Sequence, residues 1–95
     1  MGRSRRKKPE RLAEKLLAIR RQLELSQTSL KEKLESKGYP VYKGDISNYE
    51  LGKSEPPLII LLRYARLGNV TMEMLVDDEL NLPEKIPYQE KKRKT

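Results

Sequence analysis

Cysteine and histidine are both absent from these 95 residues, as are tryptophan and phenylalanine. With no thiol and no imidazole there is no Cys nucleophile, no His base and no Cys/His zinc site, which removes the usual chemistries of a domain this small. Nor does the chain need an oxidising compartment. Long apolar runs are missing as well. The longest, Leu58 to Leu62, falls far short of the roughly 20 residues of a bilayer span, and the basic N-terminus lacks the apolar segment of a signal peptide. A cytoplasmic location without membrane association is expected. The only aromatic residues are five Tyr, few for a surface that stacks on unpaired RNA bases. No nucleophile and base can be paired, so an enzyme is not expected, and no cofactor site is evident. The acidic run Asp77-Asp78-Glu79 has no further ligands converging on it, so it reads as a solvated terminus rather than a metal site.

What the chain does have is positive charge, and its placement matters more than its total of +7. Residues 1–8 hold five cations and no acid, and residues 90–95 hold four cations and one acid. The stretch between them is therefore left at −1. The excess sits in two tails around a nearly neutral middle, a distribution that suits a polyanionic partner or simply keeps a small domain soluble. Residues 1–8 are expected to form a disordered basic arm, residues 9–78 one domain, and residues 79–95 an extended arm and basic tail.

Within the domain the apolar spacing predicts helices. Leu12, Leu16, Ile19 and Leu23 form one stripe between Glu10 and about Glu24, with acids early and Arg20 and Arg21 late, as the helix dipole favours. Ser26 is placed to cap a second helix that starts at Gln27, buries Leu30 and Leu34, and stops near Gly38. Tyr39-Pro40-Val41 is an extended turn, with Val41 in the core. The stretch from Tyr42 to Gly52 then reads as a short helix. Ile46, Tyr49 and Glu50 lie toward one side of it, and Lys43, Gly44, Ser47 and Asn48 toward the other. After the Pro56-Pro57 loop a fourth helix runs from Leu58 to about Gly68, with Leu58, Leu61, Leu62 and Ala65 as its core face. A second stripe on it, Ile60, Tyr64 and Leu67, needs a cover of its own. That cover is either a partner or the chain's own Leu80, Leu82 and Ile86. Thr71 caps a fifth helix that fades at Asp77.

A Ser-Gln helix start at Leu25-Ser26-Gln27, then Leu30 and Leu34, Val41 with Ile46, Glu50 and Gly52, and Pro56, Leu58, Leu61, Ala65, Val70 and Leu75 make a connected pattern. It resembles the lambda-repressor-like helix-turn-helix domain of the XRE type over about residues 12–76. The turn before Val41 is about five residues longer than in the shortest members. Lys31 also stands where the family usually has a small Ala. The resemblance implies an all-α, five-helix fold that binds double-stranded DNA and regulates transcription, as a dimer on two half-sites.

By position, the resemblance implies that the third helix enters the major groove, with Lys43, Gly44, Ser47 and Asn48 at base edges. Gln27, Thr28 and Lys53 would hold phosphates. A helix N-terminus already favours an anion, and Asn or Lys can pair with adenine or guanine. Gly44 reads nothing itself but permits close approach. Arg20 and Glu50 would form a structural ion pair between helices one and three. Among the family's other uses is an antitoxin-like role, in which helix four, through Ile60, Tyr64 and Leu67, would hold a protein partner.

Overall fold

A computed structural model of the chain describes residues 9–35 and 39–83. The two basic tails, Gly38 and Ile86 lie outside them. Among the described residues there are five helices and no strand: α1 Leu12–Gln22, α2 Gln27–Leu34, α3 Lys43–Leu51, α4 Leu58–Gly68 and α5 Met72–Val76. None is long and apolar enough to cross a membrane. One core joins all five, built from Leu12, Leu16 and Ile19 of α1, Leu30 and Leu34 of α2, and Ile46 and Tyr49 of α3. Ile60, Leu61, Tyr64 and Ala65 of α4, Leu75 of α5, and Val41 from the turn complete it. The fully buried aliphatic side chains among these stabilise the fold by about 1.5–3 kcal/mol each.

The capping chemistry sets the helix ends. Ser26 Oγ accepts the Ser29 N–H at 3.0 Å, and Thr71 Oγ1 accepts the Met74 N–H at 3.0 Å. Each oxygen satisfies an amide that has no partner inside its helix. At the other end, α1, α3 and α4 close alike. A left-handed residue ends each: Glu24 (φ 60), just after the C-cap Leu23, and the C-caps Gly52 (φ 76) and Asn69 (φ 58). In each case the next amide reaches back to the helix: Leu25 N–H to Arg20 O at 3.1 Å, Lys53 N–H to Asn48 O at 2.9 Å, and Val70 N–H to Ala65 O at 2.9 Å. This is the Schellman closure, and Gly is the residue that adopts it without a Cβ penalty.

Helix α1 begins with its apolar stripe at Leu12, and the two amides just before it are held from the far end of the domain. Asp78 accepts from Glu10 N–H at 2.9 Å and from Arg11 N–H at 3.1 Å. Arg11 Nη1 returns a hydrogen bond to Asp78 O at 2.8 Å. The acidic run is more than a solvated terminus here: the Asp78 carboxylate sits against the positive end of the α1 dipole. Beside it, buried Lys15 donates through Nζ to Met74 O at 2.7 Å and Asp77 O at 2.9 Å, closing the C-terminus of α5. Burial, then the nearby Arg11 charge, pulls the Lys15 ammonium below its ordinary value.

Helix α2 stops at Leu34, earlier than a Gly38 stop implies, with Glu35 already extended. The lengthened turn after it is tied down from two sides. Glu35 Oε1 accepts from Lys31 Nζ at 3.3 Å and from Val41 N–H at 3.4 Å. Lys31 thus points along its own helix rather than between helices. From α4, Arg63 Nη1 donates to Leu34 O at 2.7 Å, and its guanidinium lies 5.8 Å from the centre of the Tyr39 ring. The Arg63 contact satisfies one of the orphan carbonyls of α2 while a cation–π pair holds the turn.

Helix α4 corrects two expectations. Leu58 is 75% exposed and not part of a core face. Ile60 and Tyr64 are 1% and 0% exposed, and Leu67 is half-buried against the core. The buried stripe is Ile60, Leu61, Tyr64 and Ala65, one inward face packed against α1, α2 and α5. Leu82 also packs on the core from the segment after α5. The stripe proposed for a protein partner is therefore covered within a single chain.

Candidate nucleic-acid interface

Helix α3 is held at both ends. Tyr42 is its N-cap, and the Asp45 carboxylate at the third helical position accepts the Tyr42 N–H at 3.0 Å. Gly52 ends it in the left-handed conformation. Ile46 is fully buried and Tyr49 nearly so, which turns the opposite side outward. On that side Lys43, Gly44 and Asn48 are exposed and Ser47 is half-buried. A Cβ built on Gly44 meets no atom within 4 Å, so no packing inside the fold requires a glycine there.

The inner side of α3 is fixed by one carboxylate. Arg20 Nε donates to Glu50 Oε2 at 2.6 Å and Arg20 Nη2 to Glu50 Oε1 at 3.0 Å, a two-pronged pair. Arg20 Nη1 also donates to Leu25 O at 3.0 Å. Gln27 Nε2 adds a third donor to Glu50, at 3.2 Å from Oε1. The side chains of Arg20 and Glu50 are 19% and 6% exposed, so water screens the pair little. The hydrogen bond that Arg20 donates to Glu50 raises the guanidinium above its ordinary value. Helix α1, the α1–α2 turn, the start of α2 and helix α3 thus share one charged node. Close by, the Tyr64 hydroxyl is buried without a hydrogen-bond partner. Burial, and then the Glu50 charge, pushes this phenol well up.

The expected phosphate-binding residues divide. Thr28 and Lys53 are exposed, whereas Gln27 is half-buried with its amide turned to Glu50. Gln27 therefore braces α3, and its reach toward an outside anion competes with that contact. Lys53 follows Gly52 directly, with its amide bonded to the last turn of α3. Two residues on the exposed side of α3 escaped the sequence reading. Tyr42 is 63% and Leu51 64% exposed. Leu51 was within reach of periodicity, since it stands three residues after Asn48 and four after Ser47. Among the described residues no group of three or more acids could hold a metal ion.

No family model matches the chain, and neither a curated protein nor a solved structure matches it.

Proposed function

We propose that this chain is a sequence-specific duplex-DNA-binding protein, a lambda-repressor-like helix-turn-helix regulator of transcription that acts without catalysis in the cytoplasm. The observation that supports this reading best is the division of α3. Its inner side is locked by Ile46, Tyr49 and the Arg20–Glu50–Gln27 node. Its outer side offers an exposed cation, bare backbone and an amide, with a half-buried hydroxyl beside them, and nothing in the fold packs on Gly44. A rigid short helix with small polar groups outward fits the major groove, where base edges are told apart by hydrogen bonds. Asn48 and Ser47 supply direct readout, and Lys43 reads guanine or holds a phosphate. Thr28 at the α2 N-terminus and Lys53 contact the sugar–phosphate backbone, where affinity rather than specificity arises. The basic residues 1–8 add to that electrostatic attraction, and two copies would read half-sites about one helical turn apart.

Selection of bound sequences from random duplex DNA at about 150 mM salt tests the reading, since non-specific binding is weak there. Enrichment of one motif is the expected result. Recovery of unbiased sequence, with no change on Asn48→Ala, would overturn it.

A further inference from the structure

On α3, Gly44, Ser47, Asn48 and Leu51 follow one another at spacings of three, one and three residues, a single stripe along the outward face. It spans about 10 Å at the helical rise, close to three base-pair steps of about 3.4 Å. Three of its members are polar or bare. The fourth, Leu51, places an isobutyl group 64% exposed at the last helical position. Its backbone is fixed, because Gly52 closes the helix and the Lys53 amide bonds to Asn48 O at 2.9 Å. Among the described residues the other exposed large aliphatics, Leu58, Ile59 and Val76, belong to α4 and α5. Leu51 is thus the one aliphatic side chain on the stripe.

We infer that Leu51 is a specificity-determining contact of this interface and reads the C5-methyl group of a thymine. The inference rests on the duplex-DNA reading above. Of the four bases only thymine carries a methyl group in the major groove, and hydroxyl, amide and ammonium groups gain little from touching it. An aliphatic side chain gains by removing that methyl from water, an effect comparable to one buried methylene, or about fourfold in affinity. Lys53, two residues on and exposed, would hold this end of α3 against the backbone so that the contact can close.

The test uses the full chain and the duplex recovered by selection, with each thymine replaced in turn by deoxyuridine. That change removes the methyl group alone. Wild type should bind about fourfold more weakly when one particular thymine is replaced. Leu51→Ala should bind both duplexes alike, at the wild-type affinity for the uracil form. Unchanged thermal unfolding of Leu51→Ala, expected at so exposed a position, separates this result from misfolding. An identical thymine preference in Leu51→Ala, or no thymine preference in wild type at any position, would overturn the inference while leaving the DNA-binding reading intact. Failure to enrich any duplex overturns that reading itself, and the inference with it.

Discussion

Gly44→Ala separates folding from recognition because the two should move in opposite directions. Gly44 lies in the first turn of α3 with a negative φ, and an added Cβ would meet no atom within 4 Å. Alanine removes the entropic cost of glycine in a helix, so the fold should gain about 0.5–1 kcal/mol. For a domain of this size that raises the thermal midpoint by roughly 2–8 °C. On the outward face the same methyl stands between the helix backbone and any surface pressed against it. If a base edge or phosphate approaches that backbone closely, inserting the methyl should cost about 1–3 kcal/mol, as overpacking does elsewhere, or roughly fivefold and upward in affinity. Thermal unfolding followed by circular dichroism measures the first effect, and fluorescence anisotropy with the selected duplex the second. A variant that is more stable and binds as tightly as wild type would refute close approach at Gly44. A less stable variant would refute the open space on which the argument rests.

Asn48→Ala should lower the discrimination between selected and random duplex by about 1–3 kcal/mol, whereas Lys53→Ala should weaken both alike and flatten the salt dependence. Equal losses on both DNAs for both variants would sink that division of labour. Tyr64→Phe removes a buried hydroxyl that has no partner, so denaturant unfolding should show stability held or raised by about 1 kcal/mol; a clear loss would mean the hydroxyl is satisfied in solution. Glu24→Gly relieves a left-handed residue (φ 60) at the end of α1 and should add about 0.5–1 kcal/mol, with an unchanged midpoint counting against strain there. The amides of Glu10 and Arg11 hold the Asp78 carboxylate below its usual range. Its folded pKa being the lower, its stabilisation is complete above the unfolded value of about 3.9 and is lost as pH falls through the folded one. The stability gap between wild type and Asp78→Ala should therefore be widest near neutral pH and close in acid.

The order and type of the five helices could be read from local pattern alone. Their signals are short-range: the Leu12, Leu16, Ile19 stripe, the Ser26 and Thr71 caps, and the Gly52 stop each act within a few residues. The outward face of α3 followed from the same periodicity, because burying Ile46 and Tyr49 leaves Gly44 and Asn48 on the other side. Arg20 with Glu50 was legible only through the resemblance, since nothing local links residues thirty positions apart. Tertiary structure decided the rest. Helix α4 is apolar nearly all round, so its sequence could not say which stripe turns inward. Packing against three neighbours chose Ile60 and Tyr64 and left Leu58 outside. An acidic run near the end of a domain looks solvated until another helix brings unpaired amides to it, as α1 brings Glu10 and Arg11 to Asp78. Lys15 and Arg63 carry no local signal of a capping role. Each became a cap only because the fold carried the carbonyl end of another helix within hydrogen-bond distance of it. Periodicity reports which side of a helix is apolar, but a long-range cap depends on which distant segments meet, and only the folded chain specifies that.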